Sequence, residues 1–389
     1  LETVSNSVTS ENWPAVLSMA AGVFCMVGSE ILPASLLDLM AEELSVSVGL
    51  AGQAVTVTAG VALLTSVAFP SIAGRRDRKA AIIALTSLMV AANALVAVAG
   101  DYWIMLLGRV ALGIAIGGYW SLASASTLKL VPERLGARAL SVLFSGVAVA
   151  AVSVAPVASY VGTDLGWRPV FWCAALVGTM VLLVQALTLP RLPSNSAATL
   201  KTIFDILRRR KVAGGIVAAT AVYGAYMALQ TFLRTLFEAH GFDDLIIAAG
   251  FFLLGAGSAM GTAIAGFLVE RSVRLCLVGM PIVIGGAAVG LALSEGEIPS
   301  MALMFAWGCA WGVVPVAWSF WLTHAVPDQR ESASATFVAA VQVSFVTGAA
   351  LGGLLHDMYG VEFLYICIGS GLILITIPAN RVLIRENSL

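Results

Sequence analysis

Twelve stretches of this 389-residue chain stay apolar for about the twenty residues that carry a helix across a bilayer. They run over 14–39, 49–73, 80–100, 103–128, 138–162, 169–189, 213–238, 245–269, 274–294, 299–324, 332–355 and 361–383. In hydrocarbon a backbone must satisfy its own hydrogen bonds, and runs of this length do so as helices. The chain is 59% hydrophobic and 11% charged, where a soluble domain carries about 25% charge. An all-α integral membrane protein of twelve transmembrane helices is expected. The connections are short except for the polar stretch from Pro190 to Val212. It divides the chain into a six-helix bundle at 1–189, a linker at 190–212 and a second six-helix bundle at 213–389.

The basic residues orient the spans. Eighteen of the 21 Lys and Arg fall on one side: Arg75 to Lys79, Lys129 to Arg138, Arg191 to Lys211, Arg271, Arg274, Arg330, Arg381 and Arg385. The opposite loops hold Arg168 and collect Asp38, Glu42, Glu43, Asp101, Asp164, Asp243 and Asp244. Both termini are therefore expected in the cytoplasm. The halves also repeat. Val131-Pro132-Glu133-Arg134 after span 4 is matched by Val326-Pro327-Asp328-Gln329 after span 10. Such a parallel repeat places a site at mid-depth between two pseudo-symmetric bundles and suits alternating access.

Two charges stand inside the spans where the solvent is wrong for them. Glu30, in Gly28-Ser29-Glu30-Ile31-Leu32-Pro33-Ala34, is the one acid deep in a hydrophobic run. A carboxylate there costs roughly 3 kcal/mol unless it is protonated, paired or facing water, so it reads as a proton or substrate-ion site. Pro33 frees a backbone carbonyl one turn back and can kink the helix beside it. Arg109 lies in span 4, in line with Gly113, Gly117 and Trp120 on one helical face. Counted from the outer ends, it and Glu30 differ in depth by only about 5 Å. Arg109 keeps its charge and needs a partner, so the two are expected to couple; the alternative is a permanent buried ion pair.

Span 10 is the repeat mate of span 4. Aligning Trp318 with Trp120 puts Trp307 where Arg109 stands and Trp311 where Gly113 stands. An aromatic face at mid-depth suits a flat, partly apolar ligand. Span 7 adds Tyr223, Tyr226, Gln230 and Arg234 along one polar face, with Glu238 four residues beyond Arg234. Trp120, Tyr226, Gln230, Trp307 and Trp311 are the candidate solute-lining residues, with Gln53 and Gln342 as further hydrogen-bonding groups. Each has an ordinary reading as helix packing, as does Asn93.

Other chemistries lack their residues. Five cysteines lie in apolar runs without metal spacing, and His240, His324 and His356 are scattered at span ends. No phosphate-cradling glycine loop is present, so ATP is not the expected energy source, and no cofactor is expected. No basic face is present to neutralise phosphates, so nucleic acid is not an expected partner. No nucleophile–base set supports an intramembrane enzyme.

Arg109-x-x-x-Gly113, the run Gly146 to Pro156, the loop Gly74-Arg75-Arg76-Asp77-Arg78-Lys79 and the corner Gly166-Trp167-Arg168 resemble the major facilitator superfamily, in its twelve-helix drug:proton antiporter branch. Ala155 stands where that branch has a glycine before Pro156, and the 74–79 loop keeps the basic motif in degenerate order. Asn12 to Val16, Glu30 to Leu37 and Ala51 to Ala59 are similar to bacterial purine ribonucleoside efflux pumps, with sugar efflux transporters next. The resemblance implies a monomeric, proton-coupled exporter of a small solute in the lipid bilayer. Glu30 and Arg109 would couple protons and a purine ribonucleoside would be the solute. A sugar or multidrug exporter is the alternative; a channel or receptor fits the mostly apolar spans less well.

Overall fold

A computed structural model describes residues 11–74, 76–193, 205–294 and 296–384. Arg75, Lys201 and Arg385 lie outside these, as does the middle of the expected linker. The described chain is helical throughout its apolar runs. Spans 1 to 6 are Trp13–Ser35, Val48–Ala73, Arg78–Ala97, Tyr102–Leu128, Gly136–Leu165 and Trp167–Thr188. Spans 7 to 12 are Arg210–Thr231, Asp244–Arg271, Met280–Leu293, Glu297–Ala325, Arg330–Tyr359 and Val361–Ile384; one π turn, Leu275–Gly279, leads into span 9.

Local chemistry sets many of the starts. Asn12, Asp77, Asp101 and Asp243 each turn a side-chain oxygen back to the first free N–H groups of spans 1, 3, 4 and 8. Each such cap is worth about 1 kcal/mol. The corners between spans 5 and 6 and between spans 11 and 12 turn on Gly166 and Gly360, at φ of 84° and 86°. A side chain is strained in that region, so glycine is required at both places. At the first corner Arg168 lies 4.3 Å over the Trp167 ring, pairs with Glu43 and donates to the Ala99 carbonyl at 2.7 Å.

The helices cluster into two compact units. One holds spans 1–6 together with Gln329–Thr336; the other holds spans 7–10, the remainder of span 11, and span 12. Within each, one pair of spans packs most closely, span 2 on span 4 and span 8 on span 10. A Cβ on Gly113 would sit 2.7 Å from the Thr58 carbonyl oxygen, and one on Gly117 would meet that of Ala62. The glycines below Arg109 thus bring span 2 against span 4. Gly308 and Gly312 do the same for span 10, against Leu254 and Ser258.

Two expected spans are broken. The run 14–39 stops at Leu36 and resumes as the short helix Leu37–Glu43. Pro33 lies three residues before the stop and withholds its N–H from the turn that precedes it. The run 213–238 likewise stops at Phe232 and resumes as Leu233–Ala239. The polar face Tyr223–Tyr226–Gln230–Arg234 is therefore not continuous. Arg234 belongs to the short helix, exposed, where it pairs with Glu238 at 2.7 Å and with Asp244 at 2.7 Å.

Each unit ties the residue ahead of its first span to a loop later in the same unit. In the first, Arg134 donates to Glu11 at 2.6 Å. In the second, Arg209 grips Asp328 with two bonds, at 2.9 and 2.6 Å. These hydrogen bonds hold the Asp328 carboxyl below the usual carboxylate range.

Candidate functional site

In the first unit the polar centre is built on the Pro33 kink. Proline has no N–H to give the Ser29 carbonyl four residues earlier. Arg109 gives one instead. Its Nη1 donates to Ser29 O at 2.9 Å, Nη2 to Glu30 O at 3.4 Å, and Nε to Ala54 O of span 2 at 3.3 Å. The side chain is fully buried. Three of its five N–H groups thus bond to backbone oxygens, which explains how a guanidinium is tolerated at that depth. Around it, Thr58 Oγ1 donates to the Ala54 and Arg109 carbonyls at 2.8 and 3.2 Å. Asn93 Nδ2, buried on span 3, donates to Ser29 Oγ at 2.8 Å and Met89 O at 3.1 Å.

Glu30 is only half-buried. Its carboxylate has no hydrogen bond or ion pair among the described residues, although the Arg109 charge is near enough to act on it. The permanent buried ion pair is therefore absent: Arg109 holds the backbone of Ser29 and Glu30 and leaves the carboxylate unoccupied. Gln53 and Trp120 stand apart from this centre. Gln53, exposed on span 2, accepts from the Tyr102 hydroxyl at 3.2 Å, and Trp120 stacks on Phe144 with centroids 5.8 Å apart.

In the second unit the corresponding region is aromatic. Tyr226 lies flat on Trp311, centroids 3.4 Å apart and planes within 2°. Its edge meets Trp307 at 6.2 Å, and Trp307 in turn meets Tyr365 at 6.5 Å. Tyr223 also meets Trp311, at 5.2 Å, edge to face. The Tyr365 hydroxyl donates to Leu229 O at 2.5 Å, beside the break in span 7. Two polar atoms in this group, Gln230 Oε1 and Trp307 Nε1, are buried without a partner among the described residues. Gln342 is half-buried on span 11, with no hydrogen bond to this group among the described residues.

Spans 2–4 and 8–10 pack as mates, spans 1 and 7 break at matched points, and spans 6 and 12 start at matched glycine corners. The sequence profile of the Major Facilitator Superfamily matches residues 18–337. The chain belongs to the major facilitator superfamily. It is a multi-pass membrane transporter and not an enzyme. Purine ribonucleoside efflux pump NepI of Salmonella paratyphi C (strain RKS4594) is 35% identical over 374 residues, covering 96% of this chain and 94% of that one. The NepI pump of Salmonella enteritidis PT4 is 35% identical over 359 residues, 92% and 90% of the two chains. In fold, the chain is similar to the human organic anion transporter MFSD10, with TM-score 0.78 and 14% identity over 96% of this chain and all of that one. It is similar also to the proton:xylose symporter XylE, with TM-score 0.73 and 16% identity over 95% and 96%.

Members of this superfamily move solutes, and the sequence missed some residues that shape these centres here. Ser29 and Ala54 act through their carbonyls, which every residue has, so no side chain marks them. Tyr365 is visible only as one aromatic among many. A second buried network joins Gln185 to Tyr119 Oη at 3.1 Å, to Ser18 O at 3.2 Å and to Thr86 Oγ1 at 2.8 Å. Its signal, a lone amide in the apolar span 6, is present in the sequence.

Proposed function

We propose that the chain is a proton-coupled antiporter that exports a small solute, a purine ribonucleoside, by alternating access across a bacterial inner membrane. Both termini are cytoplasmic, as the basic loops require, and the working unit is a monomer. The observation that carries the coupling is the Glu30 carboxylate: intramembrane, half-buried, without a hydrogen-bond partner among the described residues, and next to a cation fixed by backbone carbonyls. A carboxyl placed so can take a proton and release it without first breaking a salt bridge. Open to the acidic outer side, Glu30 is protonated. Open to the cytoplasm, it loses the proton as solute binds.

The solute class is supported by the second unit. Tyr226 and Trp311, part-buried and stacked on each other, form an aromatic wall with the buried Trp307, and Gln230 Oε1 and Trp307 Nε1 are an acceptor and a donor without a partner among the described residues. A purine has that combination of a π-face and polar edges. The NepI relatives bear on the same reading. A sugar exporter is the second reading, favoured by the amides Gln53, Gln230 and Gln342.

The test is export from proteoliposomes with and without a pH gradient. The Glu30→Gln protein is expected to lose gradient-driven export while keeping solute counterflow. Full gradient-driven export by that variant would end the proton-coupling reading. Inosine and guanosine should compete with labelled solute, and competition by sugars alone would replace the nucleoside with the sugar.

A further inference from the structure

Why Arg109 does not simply close on Glu30 is a question the coupling scheme leaves open. The two belong to facing helices, and their charges interact. A direct ion pair in hydrocarbon would fix the carboxylate in its charged form and remove it from proton exchange. What holds Arg109 elsewhere is its shortest bond, from Nη1 to Ser29 O at 2.9 Å. That oxygen is available because residue 33 is a proline. With any other residue its N–H would take the Ser29 carbonyl into the helix ladder. The ring also crowds that carbonyl, tilting it out of the helix axis toward a donor outside.

We propose that Pro33 is a positioning residue for the proton site: it presents the Ser29 carbonyl to Arg109, and thereby keeps the guanidinium on backbone oxygens and off the Glu30 carboxylate. The proposal rests on Glu30 being the proton carrier. Asn93 belongs to the same device. Its Nδ2 holds Ser29 Oγ at 2.8 Å, on the face of span 1 that turns toward span 3, and so fixes the residue whose carbonyl Arg109 uses. Among the described residues Arg109, on span 4, is the one charged group acting on Glu30. The polar side chains of the surrounding centre, Thr58 on span 2 and Asn93 on span 3, are neutral.

Replacing Pro33 by Ala or Gly restores the N–H. The Ser29 carbonyl returns to the ladder, span 1 straightens, and Arg109 is released toward the carboxylate. An opposite charge in direct contact lowers a carboxyl's proton affinity by about one to three pH units. The pH midpoint of gradient-driven export by Pro33→Ala should therefore fall by at least about one unit. A proline that merely shapes the helix would change the maximal rate and leave the midpoint where it was.

Infrared titration of the protein in nanodiscs gives the same quantity without transport. The carboxylic C=O band that disappears in Glu30→Gln should titrate at lower pH in both Pro33→Ala and Pro33→Gly. Adding Arg109→Gln to Pro33→Ala should reverse that fall. An unmoved band in both proline variants overturns the proposal while leaving Glu30 as carrier. A wild-type band that is not Glu30's, together with full gradient-driven export by Glu30→Gln, overturns the carrier reading itself.

Discussion

The first helix of each half breaks near one end, and the two breaks are held in opposite ways. Glu30 stands six residues before the break at Leu36, and Tyr226 stands six before the break at Phe232. In the first half a proline stands three residues before the break, and a buried guanidinium from span 4 takes the carbonyl that the proline leaves free. In the second no proline is present, and a phenol from span 12 holds Leu229 O. At the position of Arg109 the second half carries Trp307, packed against Tyr226 where the first half has Glu30. At this point one repeat carries charged side chains and the other carries aromatic ones. The lesson is that a shared backbone break is compatible with either set.

Three changes test that division, in descending order of effect. Arg109→Leu removes the donor from Ser29, Glu30 and Ala54 at once. It should lower stability by about 3 kcal/mol, while Tyr365→Phe, which frees one carbonyl at the matched break, should cost about 1 kcal/mol. Thermal unfolding in detergent compares the two, and equal losses would mean that the breaks are held alike. Trp311→Ala removes the surface on which Tyr226 lies. The KM for solute should rise about tenfold or more, from lost stacking and burial, while the pH midpoint of export stays unchanged. A shifted midpoint would place proton handling in the second half as well.

The smallest effect is expected at Asp328. Its carboxyl ionises below the usual range because Arg209 donates to it. A depressed carboxyl stabilises the fold above its unfolded value and ceases to do so as pH falls through the folded one. Asp328→Asn should therefore shift the melting temperature by the same small amount at every pH from 7 to about 5, and by progressively less as pH falls below the usual carboxylate range. Both side chains are largely exposed, so high salt should also abolish the difference.

Much of this was legible in the sequence because the membrane makes polarity conspicuous. Glu30 and Arg109 stood out as charges in apolar runs, and Trp307 and Trp311 followed from the repeat. The partner of Arg109 was not legible. Every residue has a carbonyl, and only Pro33 hinted at which one would be free. The break at Phe232 was hidden because no proline or glycine marks it, so span 7 read as continuous to Glu238. The buried amide Gln185 was legible in principle, as the single such group in span 6. Its partners, Ser18, Thr86 and Tyr119, come from three other helices and share no spacing with it.

The two clasps ahead of the first spans have the same form and reversed sign. Glu11 meets Arg134 in one unit, and Arg209 meets Asp328 in the other. Exchanged partners would set acid against acid and base against base. A ribosome delivers the first six helices before the last six, so the later ones enter a membrane already holding a near-copy of themselves. The reversed polarity makes each clasp fit its own half and not its relative's, by the small margin that exposed charges allow.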